Sequence, residues 1–263
     1  MDDAVESVDG AQAHGERHAD FALAFQDGRT AVDQQGETLT VRVAYLGNLV
    51  VTTGQIVACD PFWLDMAPEP YTTVVPCGQY PVLVSVISYA DGGQRVACAM
   101  LRFTDSEAIR WEMALRPGQD VRALAPGEVF CYSVDAGTGC FADQAVVEAL
   151  LAEAGIDDVD DWRLGPAGPH LTPDGDTTPE WRALVDSVYT WNEAFGDQLA
   201  EKLEATEYIS ATVTVQVQGG ARGNLIAFSS GWGDGCYASF FGYDAHDNLV
   251  CLVTDFQVLL GVK

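Results

Sequence analysis

Lysine is almost missing from this chain. Only Lys202 and Lys263 occur, and all basic residues together number 13 against 39 acidic ones, a formal net charge of −26. No segment gathers arginines, so nothing can neutralise a run of phosphates, and nucleic acid is excluded as the main partner. The same shortage removes the polybasic attraction by which proteins dock on anionic lipid. On charge grounds the surface is either simply solvated or meets a cationic partner.

Histidine is scarce too, with His14, His18, His170 and His246 as the full set. A Ser or Cys nucleophile needs a base within hydrogen-bond reach, and the first three histidines fall in the N-terminal stretch or a Pro-rich loop. Cys140 or Ser230 with His246 is the one triad left, and the rival reading of His246, within DAHDN, is a solvated turn residue. The seven cysteines, at 59, 77, 98, 131, 140, 236 and 251, include no CxxC pair. They read as buried reduced thiols, with neither a disulfide framework nor a structural zinc site. Walker, Rossmann, HExxH and GxSxG patterns are absent, and no motif names a cofactor or metal.

A membrane helix is missing as well. The longest uncharged run, residues 70–90, carries Pro70, Pro76, Gly78 and Pro81 in its length. MDDAVESVDG at the start offers no basic n-region and no apolar h-region, which places the protein in the cytoplasm by default.

What is present is ample apolar content, 48% of 263 residues, enough for a single folded unit. Residues 1–18 are acidic, small and without apolar period, so they read as a mobile segment ahead of one β-rich domain over 19–263. Within it, 157–178 is crowded with Asp, Gly and Pro and reads as an exposed loop or insertion. Nine runs carry the strand signature: 39–45, 55–59, 80–88, 95–103, 129–134, 208–217, 224–228, 236–243 and 249–256.

Thr178 and Pro179 predict a helix start, and Trp181, Leu184, Val188, Trp191, Phe195, Leu199 and Leu203 lay one apolar stripe along it to about residue 205, with Gly196 as a point of bending. A shorter helix runs from Gln144 to Ala154, capped by Asp143 and stopped by Gly155. The expected fold class is α+β: an antiparallel sandwich or open barrel with one long and one short helix packed on it.

Five blocks join Gly or Pro to an acid and an aromatic: GQIVACDPF (54–62), VPCGQYPV (75–82), WEMAL (111–115), YSVDAGTGCFAD (132–143) and SSGWGDGCYASFFGYD (229–244). In order and spacing they resemble the bacterial family catalogued as domain of unknown function 4241, and the resemblance covers roughly Gly47 to Val258. It implies no activity, cofactor or catalytic residue, so the chemistry is read from the residues alone.

VDAGTG is compared with two known chemistries. Aspartic proteases need a hydroxyl where Ala136 stands, and the phosphate loop of actin-like folds opens a β-hairpin, whereas this one precedes a helix. The plain alternative is a strand-to-helix connection with Gly137 and Gly139 at positive φ. SSGWGDGCY suits a ligand pocket or, equally, a glycine-rich turn in which Asp234 binds its own backbone.

Asp60, Asp135, Asp234 and Asp255 each follow or end a strand. If they converge, they either perturb one another for acid/base work or hold a hard cation. The leading expectation is a small-molecule hydrolase or lyase using Asp135, Asp234, Tyr237 and Asp60, with Ser230, Trp232, Gly233, Thr138 and Cys140 holding the substrate. The alternatives are an acidic immunity- or antitoxin-like module that binds a basic protein, and a metabolite- or sugar-binding protein without chemistry.

Overall fold

The computed structural model describes residues 18–32, 36–90, 92–159, 162, 179–206 and 209–259. The expected mobile N-terminal segment and most of the 157–178 loop lie outside the described residues. The helices are α1 (Phe21–Ala24), α2 (Gln144–Glu153) and α3 (Pro179–Glu204). The strands are β1 (Thr30–Val32), β2 (Thr38–Val51), β3 (Ile56–Cys59), β4 (Gly78–Ser88), β5 (Gln94–Arg102), β6 (Arg110–Met113), β7 (Tyr132–Val134), β8 (Thr138–Asp143), β9 (Ser210–Gln216), β10 (Arg222–Ser229), β11 (Gly235–Tyr237), β12 (Ser239–Tyr243) and β13 (Leu249–Asp255).

A seven-stranded sheet in the order β1-β2-β4-β5-β13-β12-β6 curls into a half-barrel. A four-stranded sheet, β3-β8-β10-β9, packs against it, and a short ribbon of β11 and β7 stands at one end. All named pairings are antiparallel, as the sequence predicts.

The period of two in the central strands builds the layers. Ile56 and Ala58 of β3, Phe141 of β8, and Ile226 and Phe228 of β10 face the half-barrel and join its core with Phe240, Phe241 and Phe256. Their sequence neighbours Val57, Cys59, Cys140, Ala142, Leu225 and Ala227 face the other way, onto the helices. The four-stranded sheet is therefore buried on both faces. That is why β8 reads as an unbroken buried run, and why its TGCFAD escapes a search for alternation.

Helix α3 carries the stripe its sequence predicts: Val188, Phe195, Leu199 and Leu203 are buried, while Asp186, Glu193 and Glu201 are exposed. The side chain of Trp181 lies outside the described residues. Gly196 does not divide the helix; a Cβ there would stand 3.4 Å from the Phe62 ring, so its bareness lets α3 pack closely on the 3-10 turn at Pro61–Met66.

Asn224 joins the two sheets, accepting from the Val50 amide at 2.8 Å and donating to the Asn48 carbonyl at 2.9 Å. The folded region begins before Phe21: the amide of buried Ala19 donates to Asp255 Oδ2 at 2.8 Å.

Candidate functional site

The two glycine-rich blocks meet. β8 pairs with β10 so that Thr138 faces Ser229, and β7 pairs with β11 so that Val134 faces Gly235. The VDAGTG and SSGWGDG turns therefore lie side by side, and the Ser230 amide donates to the Gly137 carbonyl at 3.1 Å. Gly137, at φ +62, makes the reversal between β7 and β8 that a side chain would strain. Gly139 is not at positive φ as expected; it is flat within β8, where an added Cβ would stand 2.8 Å from the Tyr132 hydroxyl.

A disulfide between Cys131 and Cys236, Cα to Cα 5.4 Å, clips this ribbon across 105 residues of sequence. The expectation of seven reduced thiols is corrected here: five are free, and of those Cys77 is exposed. Chain separation hid the pair, because only the β7–β11 pairing brings the two cysteines together.

Most of the expected site residues brace the turns from within. Asp60 is buried; its Oδ2 accepts from the amides of Asp135 and Ala136, both at 2.9 Å, and its Oδ1 from the Phe62 amide at 2.9 Å. Burial raises its pKa above the usual carboxylate range against the pull of those three N–H groups. The hydroxyls of Ser230 and Tyr237 both donate to the Gly233 carbonyl at 2.8 Å, and Thr138 donates to the Ala136 carbonyl at 3.3 Å. Burial, then the charge of Asp234, pushes the Tyr237 phenol up.

Three expected residues point outward at the same end of the molecule. Asp135 and Asp234 are the next positions beyond the Val134 and Gly235 pair, so they flank each other at the ribbon tip, and both are exposed. Neither carboxylate accepts a hydrogen bond among the described residues, so the turn bond expected for Asp234 is not made. Trp232 is 44% exposed. Beneath it the Arg95 guanidinium sits 4.1 Å from the ring centroid and donates to the Gly231 carbonyl at 3.0 Å, which fixes the indole in place.

The other candidates disperse. Cys140 is fully buried with its sulfur 3.5 Å from that of Cys59, and burial raises its thiol well above the ordinary value. His246 is exposed in the β12–β13 turn, where its amide donates to Asp244, so neither Cys140 nor Ser230 has it as a base. Asp255 accepts from Ala19 and from the Gln257 amide, both at 2.8 Å, and so ties the residues before α1 to the end of β13. Among the described residues no group of three His, Cys, Asp or Glu side chains could hold a metal ion.

A second feature has no counterpart in the sequence reading. Asp143 caps α2 as expected, accepting from the Ala145 amide at 3.1 Å. It also accepts from both the amide and the hydroxyl of Thr52 and of Thr53, at 2.8 to 3.1 Å, which ties the β2–β3 turn to the start of the helix. Beside this junction lies a cleft of about 690 Å³ floored by Ala145, Ala149, Ala152, Ile156 and Val217. Its rim holds Thr52, Thr53, Gln144, Glu148, Asp157 and Asp158. A cap signal was visible at Asp143; its partners lie some 90 residues away and carry no pattern.

Among the described residues no helix is long and apolar enough to cross a membrane. No curated protein and no solved structure matches the chain. A family model, that of a protein of unknown function, matches residues 49–254 and takes in the paired glycine turns, the disulfide and the α2 cleft, so the chain belongs to the DUF4241 family.

Proposed function

We propose that this protein is a recognition module that binds a basic partner protein, with the ribbon tip as its point of contact. The observation that carries the reading is the juxtaposition of Asp135 and Asp234, exposed and without hydrogen bonds among the described residues, with the half-exposed Trp232 on a clipped and internally braced ribbon. A rigid indole beside charges is the composition of an interface hot spot. The excess of 26 negative charges steers a cationic partner toward it.

Cations elsewhere on the surface do not offset those charges, because several are already paired locally: Arg110 with Glu112 and Asp247, Arg122 with Asp120, and Arg102 with Asp105.

Hydrolase or lyase chemistry at the same carboxylates has less support. The hydroxyls of Ser230, Thr138 and Tyr237 are committed to main-chain carbonyls, and Asp60 and Cys140 are closed off. The Cys131–Cys236 disulfide fits an oxidising compartment, and wherever reductant is abundant the pair exists as thiols.

The test is affinity capture from native extract with the full chain and with the D135N/D234N and W232A variants. The reading expects a partner of high isoelectric point whose retention falls with added salt and is lost in both variants, with unfolding midpoints unchanged. Retention that is indifferent to salt and to both variants would sink it.

A further inference from the structure

We propose that Cys59 and Cys140 are a peroxide-oxidised thiol pair that closes a second disulfide, between β3 and β8. The two residues are register partners at one end of the β3–β8 pairing and face the helical layer together. Their sulfurs already touch, Sγ to Sγ 3.5 Å. Opposed residues of an antiparallel pair stand about 4.5 to 5.5 Å apart at Cα, within the span of about 4.4 to 6.8 Å that a disulfide bridges, so the backbone is already placed for the bond.

The other free cysteines lack such a neighbour. Cys98 lies opposite Ser85 and Asp255, Cys251 lies opposite Gly242 and Arg102, and Cys77 is exposed with its thiol donating to the Thr52 carbonyl at 3.1 Å.

Position decides which thiol reacts first. Cys140 is fully buried inside the sheet, and burial holds its thiol well above the ordinary value. Cys59 is the last residue of β3, an edge strand, and keeps 6% of its surface exposed where the chain turns into Pro61–Met66. Strand ends are among the first parts of a fold to open, which admits a reagent the size of hydrogen peroxide. The Cys59 sulfur attacks one peroxide oxygen: an S–O bond forms, the O–O bond breaks, and the thiol proton leaves with the other oxygen as water. Cys140 then attacks the Cys59 sulfenic acid: the S–S bond forms, the S–O bond breaks, and the Cys140 proton leaves with the hydroxide as a second water. The two sulfurs lose two electrons and the peroxide gains them. The new bond ties β3 to β8 one residue before Asp60, whose carboxylate holds the Asp135 and Ala136 amides, so peroxide fastens the base of the ribbon.

The experiment treats the folded Cys77→Ser chain, isolated without reductant, with hydrogen peroxide, then unfolds it, alkylates the remaining thiols and maps the unreduced peptides by mass spectrometry. Removing Cys77 leaves four of the five free cysteines, and the proposal expects two after treatment, with the Cys59 and Cys140 peptides joined. In Cys77→Ser/Cys140→Ala, Cys59 is expected to stop at the sulfenic acid and take up dimedone, while Cys98 and Cys251 stay alkylatable.

Four thiols retained, a link to any other cysteine, Cys59 carried to the sulfinic acid without a link, a link that forms only in urea, or no dimedone adduct in a folded Cys140→Ala chain each overturns it. Where Cys140→Ala does not fold, the link in the parent chain decides alone. No partner enters the assay, so its outcome is separate from that of the ribbon tip.

Discussion

Five of the aspartates that end or follow strands, Asp60, Asp143, Asp255, Asp135 and Asp234, fall into two kinds. Asp60, Asp143 and Asp255 turn inward and accept two to five hydrogen bonds each, one from the amide two residues on and the rest from segments remote in sequence. Asp135 and Asp234 turn outward at the ribbon tip. The two kinds share a sequence context, so context does not assign them. What separates them is whether a loop remote in sequence brings donors to the carboxylate. Inward aspartates hold the fold, and outward ones are left to solvent.

The contrast breaks most sharply at Asp143. Asp143→Ala strands the amides of Thr52, Thr53 and Ala145 together with two hydroxyls, and we expect a loss of about 4 kcal/mol or more, the exceptional end for one substitution. Asp234→Ala should change stability by no more than about 0.5 kcal/mol. Urea unfolding of the two variants checks this. Equal losses would mean that the inward and outward classes are not physically distinct.

The disulfide sharpens the same comparison, because it secures the ribbon that carries the outward pair. Closing a loop of 105 residues restricts the unfolded chain, and its reduction should cost about 2–4 kcal/mol. Thiol titration of the unfolded, unreduced protein should give five groups, rising to seven on reduction. A count of seven before reduction would show that the ribbon is held by its backbone pairing alone.

The sequence already displays the parts of this fold in which local chemistry and structure agree. The α3 stripe, the Asp143 cap, the Gly155 stop at φ +96 and the alternation of Thr212, Thr214 and Gln216 all lie within one element and can be read there. The strand run 236–243 is divided into β11 and β12, and β2 runs to Val51, beyond the expected Tyr45, because the glycine at 47 forms a bulge instead of a stop. β8 was hidden by its Gly-Thr-Gly start, which resembles a turn, and by burial on both faces, which erases the period of two. The site was half legible for the same reason. Trp232, Asp135 and Asp234 announce themselves as a dense block, yet the Asp60 bond to residues 135 and 136 spans 75 positions, and the α2 cleft draws on the β2–β3 turn, α2 and the β9–β10 connection.

The smallest effect concerns the inward acids themselves. Burial raises the pKa of both Asp60 and Asp255 above the usual value near 3.8. Each therefore binds its proton more tightly folded than unfolded, so stability is fully present below pH 3.8 and declines as pH rises through the raised folded values. Self-repulsion of the acidic surface acts in the same direction above the isoelectric point of about 4.1. The D60N/D255N variant tells the two apart. It loses acceptor oxygens, a cost independent of pH, but it also removes the two titrating groups, so its stability should fall less steeply with rising pH than that of the wild type, as urea unfolding across the window would show. Parallel curves would mean that the surface charge alone sets the slope and that burial of these two carboxyls carries no proton linkage.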